Sequence, residues 1–239
     1  MIKYSELVKK TMPPEKLARE KIDIIGHYLL RPVSNIISIP LIEWGVSPTA
    51  VTIFSGIFPI LSVAFFAMNS AAGFWGGWLS ILAWNILDGV DGNIARYNDQ
   101  CSLRGDMWDG TVGFMAVMAM FTGMGFSAAY TGDRFLSMGN ELCIFGGIYA
   151  GWFQLFPKMM MYKRGMLENG KTIKSLKDRG GYGIAKVIAF NIASVNGLGA
   201  VLYLIAYLTN LCGVCLVFYF FFNGAVMLYS LSKILEAKS

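Results

Sequence analysis

The chain has 239 residues, of which 55% are apolar and only 15% charged, with a net charge of +5. A soluble domain carries about 25% charge, so lipid rather than water is the solvent for most of this surface. The same composition excludes disorder, collagen-like repeats, a coiled coil and a disulfide-stapled secreted fold.

Residues 1–21 are polar and contain no apolar core, which excludes a secretory signal peptide. Residues 22–45 are apolar but interrupted by Arg31, Pro32 and Pro40. That pattern suits an amphipathic helix lying in the headgroup layer better than a spanning one. Six apolar runs of spanning length follow, at about 49–68, 72–94, 107–130, 139–161, 183–208 and 211–232. The expected fold is an all-α integral membrane protein. It has a cytosolic and interfacial segment over 1–48 and a six-helix transmembrane domain over 49–239.

Orientation follows from the basic residues. Nineteen of the 20 Lys and Arg fall in the N-terminal segment, the links after the second and fourth runs, and the C-terminus. Only Arg134 lies on the other side. This puts both termini in the cytoplasm and makes the basic excess a topology signal, not a nucleic-acid footprint. Cys101 falls in a cytosolic link, Cys143 within a run, and Cys212 and Cys215 form a CxxC with no partner ligand nearby. These read as packing residues rather than a metal or redox centre. His27, the single histidine, reads as a surface or headgroup contact.

The unexpected residues are carboxylates at membrane depth, which are costly and mark function by default. Asp88 and Asp91 close the second run, in the stretch Asp88-Gly89-Val90-Asp91-Gly92-Asn93-Ile94-Ala95-Arg96. On a helix, Asp88, Asp91, Gly92, Ala95 and Arg96 share one face about 140° wide. The third run begins with a matching face of Ser102, Gly105, Asp106, Asp109 and Gly113. Aspartates on two helices near the cytosolic boundary suit hard divalent cations. The small residues Gly92 and Ala95 let a bulky ligand approach the backbone, and Arg96 is placed to pair with phosphate. Asp99, in the polar link, reads as an ordinary surface residue.

The series Asp88-x₂-Asp91-Gly92-x₂-Ala95-Arg96-x₈-Gly105-x₃-Asp109 resembles the signature of the CDP-alcohol phosphotransferases. It departs at the last position, where Gly113 replaces the family's fourth aspartate. The segment Ser47-Pro48-Thr49-Ala50-Val51-Thr52 is similar to the family's entrance to its first span, and Arg31-Pro32-Val33-Ser34 to a juxtamembrane segment of some members. The resemblance implies a six-helix enzyme, usually a homodimer. It transfers a substituted phosphate from a CDP-linked donor (CDP-diacylglycerol or a CDP-linked head group) to a lipid or polar alcohol or phosphate acceptor. CMP is released, in phospholipid or surface-glycan biosynthesis. It further implies that Asp88, Asp91 and Asp109 hold Mg²⁺ or Mn²⁺ in a two-metal site. Thr49, Thr52, Gly92, Arg96 and Ser102 would bind the nucleotide, with the active site facing the cytoplasm. In the family the fourth aspartate is thought to bind metal and take the proton of the attacking hydroxyl, which glycine cannot do.

Candidate acceptor contacts are Asn191, Ser194, Asn196, Asn223, Lys158, Lys163 and Arg164, each with the alternative of packing or anchoring helices. Two other readings of the carboxylates stay open. One is a catalytically impaired relative kept as a nucleotide-binding or scaffold subunit. The other is a cation channel or transporter with an aspartate filter, which leaves the Gly92/Ala95/Arg96 face without a use.

Overall fold

A computed structural model of the chain describes residues 2–167, 184–195 and 197–236, and all regular structure among them is helical. Two short helices open the chain, α1 (Tyr4–Thr11) and α2 (Pro14–Glu20). A π-helical turn over Gly26–Leu30 leads into α3 (Arg31–Glu43). Then come α4 (Pro48–Ser55), α5 (Ile57–Phe66), α6 (Ala71–Tyr97), α7 (Leu103–Thr131) and α8 (Asn140–Leu167). The chain ends with α9 (Ile184–Ala193), α10 (Leu198–Leu208) and α11 (Cys212–Glu236).

Serine starts three of the long elements. The hydroxyls of Ser47, Ser70 and Ser102 accept from the backbone N–H groups of Ala50, Gly73 and Gly105 at 3.2, 3.0 and 3.1 Å. Each satisfies one of the donors that a helix N-terminus leaves open. Among the described residues, three helical stretches are both long and apolar enough to cross a membrane: Pro48–Phe66, Leu103–Thr131 and Cys212–Ser232. A fourth candidate is the pair α9 and α10, bent by 58° at its break. The helices α6 and α8 are of spanning length, 27 and 28 residues. Their apolar runs are diluted by Asn85, Asp88 and Asp91 in one and by Gln154, Lys158 and Lys163 in the other.

The main core is aromatic and lies between α5, α6, α7, α10 and α11, around Phe66, Phe74, Trp84, Phe121, Tyr203 and Tyr219. Phe74 and Tyr207 stack with ring centroids 3.4 Å apart. The crossing of α7 with α8 depends on glycine. A Cβ on Gly147 would fall 2.4 Å from the carbonyl oxygen of Phe121, and one on Gly125 2.7 Å from that of Cys143. Small residues let two backbones meet at this spacing, as in membrane helix pairs.

The buried face of α3 is polar. Ser34, Asn35 and Ser38 are inside while Val33 and Ile36 are exposed, Ile36 by 61%. This is the reverse of a helix on a soluble protein, and it fits a helix whose outer face meets lipid. At the opposite end of the molecule, Asp133 accepts from the N–H groups of Phe135 (2.9 Å), Leu136 (3.1 Å) and Val214 (3.0 Å). It ties that turn to the start of α11.

Candidate active site

The last three turns of α6 and the first two of α7 bring the sequence-predicted carboxylates together. Asp88 and Asp109 have side chains within hydrogen-bonding reach of each other, and Asp91 is near enough to act on both electrostatically. Asp91 is buried and Asp109 is exposed, so the group runs from the helix interface toward the surface. Thr52, on α4, donates its hydroxyl to Asp91 Oδ2 at 2.5 Å. Thr49 lies one turn earlier on the same helix, half-buried.

The donor set is made of hard oxygens, the type that Mg²⁺ and Mn²⁺ select. Like charges held this close also call for a counter-cation. In that sense the residues fit a divalent metal. Among the described residues, no three acidic, His or Cys side chains converge tightly enough to hold an ion; Asp91 is turned to Thr52 instead.

The other expected nucleotide residues are placed as follows. The Arg96 guanidinium lies across Gly92, so that a Cβ there would come within 2.8 Å of Nη2. The bare face anticipated at Gly92 is thus covered by the arginine, whose Nη2 donates to Asn93 Oδ1 at 3.3 Å. Ser102 is exposed at the mouth of α7, with its oxygen engaged as the helix cap. A Cβ added to Gly113 would meet nothing within 4 Å, so the space beside it is open.

Several acceptor candidates prove to be structural. Asn191 donates to the carbonyl of Ile22 (2.7 Å) and accepts from the N–H of Ile24 (3.1 Å), while Ser194 donates to Asp23 (3.2 Å). Both clamp the N-terminal segment to α9 and the turn after it. Asn223 donates to the carbonyl of Ala150 at 3.0 Å and joins α11 to α8. Lys163 is exposed. Asn196 and the side chain of Arg164 lie outside the described residues.

Sequence reasoning missed a polar knot beside the carboxylates. Asn93 is fully buried; its Nδ2 donates to Asn35 Oδ1 (2.9 Å) and Ser38 Oγ (3.1 Å) on α3. Its Oδ1 faces both Arg96 and Arg31, the latter at 3.5 Å. Arg31 also donates to the carbonyl of Gly89 at 3.4 Å and grips Glu20 through Nε (2.9 Å) and Nη2. Lys16 completes the group, 3.2 Å from Glu20. The available signal was Asn93 itself, an amide at membrane depth between motif positions.

Burial, and after it the guanidiniums of Arg96 and Arg31, push the Lys16 ammonium down to about 7 against the opposing pull of Glu20. Burial alone would raise the Glu20 carboxyl, but Arg31 and Lys16 outweigh it and hold it below its usual value.

No curated protein matches the chain. A family model described as CDP-alcohol phosphatidyltransferase matches residues 45–144. That stretch contains α4–α7 and with them Thr49, Thr52, the three aspartates, Gly92, Arg96 and Ser102. The chain is therefore similar to the CDP-alcohol phosphatidyltransferases over residues 45–144, the stretch that carries the candidate site.

Proposed function

We propose that the protein is a divalent-metal-dependent enzyme of the membrane that moves a substituted phosphate from a CDP-linked alcohol to an acceptor. The acceptor oxygen forms a new P–O bond, the P–O bond to CMP breaks, and CMP leaves. The observation that carries this reading is the meeting of Asp88, Asp91 and Asp109 from two helices, with Thr52 bonded to Asp91, inside the stretch similar to the family. Asp88, Asp91 and Asp109 would hold Mg²⁺ or Mn²⁺, which supplies positive charge to the pyrophosphate and the leaving phosphate. Thr52 orients Asp91, and Arg96, poised over Gly92, is the partner for nucleotide phosphate. Thr49 and Ser102 border the nucleotide from α4 and α7.

The reading includes a six-span topology over 49–239, with residues 1–48 cytosolic or interfacial, the site facing the cytoplasm, and a homodimer embedded in membrane lipid. Phospholipid or surface-glycan biosynthesis is the pathway class it fits. The test uses full-length protein in lipid nanodiscs with Mg²⁺, a panel of CDP-linked donors and membrane lipid extract, with CMP release as the readout. Wild type is expected to release CMP, and Asp88→Asn and Asp91→Asn to lose nearly all of that activity while keeping their elution profile. Near-full turnover in either variant defeats the metal assignment. If no donor yields CMP but CMP binds, the scaffold alternative takes its place.

A further inference from the structure

The grouping of Lys16, Arg31 and Arg96 around a single carboxylate has no explanation in packing alone. The side chains of Lys16, Glu20 and Arg31 are only 19%, 18% and 18% exposed. Arg96 Nε is buried with no hydrogen-bond partner among the described residues. Burying cations is costly unless each is paired; Lys16 and Arg31 share Glu20, while Asp88 and Asp91 act on Arg31 and Arg96 from the neighbouring site. Arg96 is thus left with a buried donor, Nε, to offer a further anion.

We propose that Lys16, Arg31 and Arg96 form a binding site for a phosphate group, and that Glu20 is its resident placeholder. The fork of Arg31 that now holds the two oxygens of Glu20 is the geometry that also grips phosphate. Three separate elements supply the cations: α2, the start of α3 and the last turn of α6. The site lies next to the carboxylates, because Arg31 reaches the carbonyl of Gly89 and acts electrostatically on Asp88. A phosphate seated here is beside the reacting groups, and its arrival frees Glu20 and the short helix that carries it. This rests on the proposed function only in placing Arg96 at the substrate. The phosphate belongs either to the nucleotide or to a second, phosphate-bearing substrate.

The experiment measures binding of inorganic phosphate to the full-length protein in nanodiscs by calorimetry, with a chelator present. Glu20→Gln keeps the shape of the side chain but removes the competing charge, and it is expected to tighten phosphate about tenfold. Lys16→Met is expected to weaken it by about as much. Unchanged or weaker binding in Glu20→Gln overturns the proposal, and that isosteric variant decides the matter even if Lys16→Met fails to fold. Competition with CMP in Mg²⁺ then assigns the phosphate. Mutual displacement gives the site to the nucleotide, and simultaneous binding gives it to the second substrate. Asp91→Asn separates the two proposals: it should lose metal-dependent CMP binding yet hold phosphate in chelator as wild type does. Retained CMP binding in that variant defeats the metal assignment alone, whereas failure of Glu20→Gln to tighten phosphate defeats the placeholder alone.

Discussion

At the scale of single residues, Gly113 and Lys16 carry the sharpest expectations. Space is open at Gly113, so Gly113→Asp should be accommodated without repacking. A general base is worth about 10²–10⁴-fold. We expect wild type to turn over and the aspartate to bring no gain of that size, because the proton of the acceptor is taken elsewhere or is absent. Activity created by Gly113→Asp from an inert wild type would identify a scaffold instead. Lys16 bears on pH. Its folded value of about 7 lies below the unfolded 10.5, so between them the unfolded chain holds more protons and stability from this group rises with pH. The groups facing it are Glu20 on its own helix, Arg31 on α3 and Arg96 on α6. The penalty is full below pH 7 and gone above 10.5. Lys16→Met should therefore raise the thermal midpoint relative to wild type at pH 6, with the difference shrinking toward pH 10. The three aspartates were legible in the sequence because a carboxylate in an apolar run has few innocent uses. Lys16 and Glu20 were not, because a charged residue in a polar segment looks like any other until the fold buries it.

At the scale of elements, α3 and α6 are held together by polar groups. Ser34 donates to the carbonyl of Ile86 at 2.8 Å, and Asn93 bonds both Asn35 and Ser38. Gly89 is required at this crossing, since a Cβ there would lie 2.5 Å from Ser34 Oγ. Asn93→Leu should strand the side-chain oxygen of Asn35 and Nη2 of Arg96, costing about 2–3 kcal/mol of stability. Ser102→Ala removes only a cap and should cost about 1 kcal/mol. Thermal unfolding in nanodiscs ranks the two, and equal losses would mean that the knot is not what joins α3 to α6. That most of 22–45 is helical was readable from the sequence. Which face turns inward was not, because an inverted helix buries the residues that a pattern for water would place outside. Among the candidate acceptor contacts, Asn191, Ser194 and Asn223 make the bonds of residues that join helices in lipid, the other reading open to them in the sequence.

At the scale of the whole molecule, the distribution of basic residues makes a prediction about sidedness. Cys101 is an exposed free thiol on the link between α6 and α7, whereas Cys143 and Cys212 are buried. A membrane-impermeant maleimide should label Cys101 in inside-out vesicles and not in right-side-out ones. Labelling from the outer side would invert the topology and take the candidate site out of the cytoplasm. Helix number was only partly legible. Among the described residues, three stretches, and a fourth as a bent pair, satisfy length and apolarity together. The candidate aspartates of α6, with its Asn85, glycines and tryptophans, lower its hydropathy, so a helix that carries the proposed site gives one of the weaker signals of crossing a membrane.

The polar underside of α3 has a consequence for how the protein is made. Asn35 finds its partner 58 residues later in the chain, at Asn93, and Arg31 meets the carbonyl of Gly89 at the same remove. When α3 leaves the ribosome its hydroxyls can bond carbonyls of their own segment, but Asn35 Oδ1 and Arg31 Nη1 still lack their partners on α6. They must stay hydrated while Val33 and Ile36 rest on the bilayer. The N-terminal segment thus waits on the membrane surface until α6 has been inserted, then turns its wet face onto it. Early synthesis pauses or truncations before Asn93 should leave that segment open to protease, and those beyond it should close it.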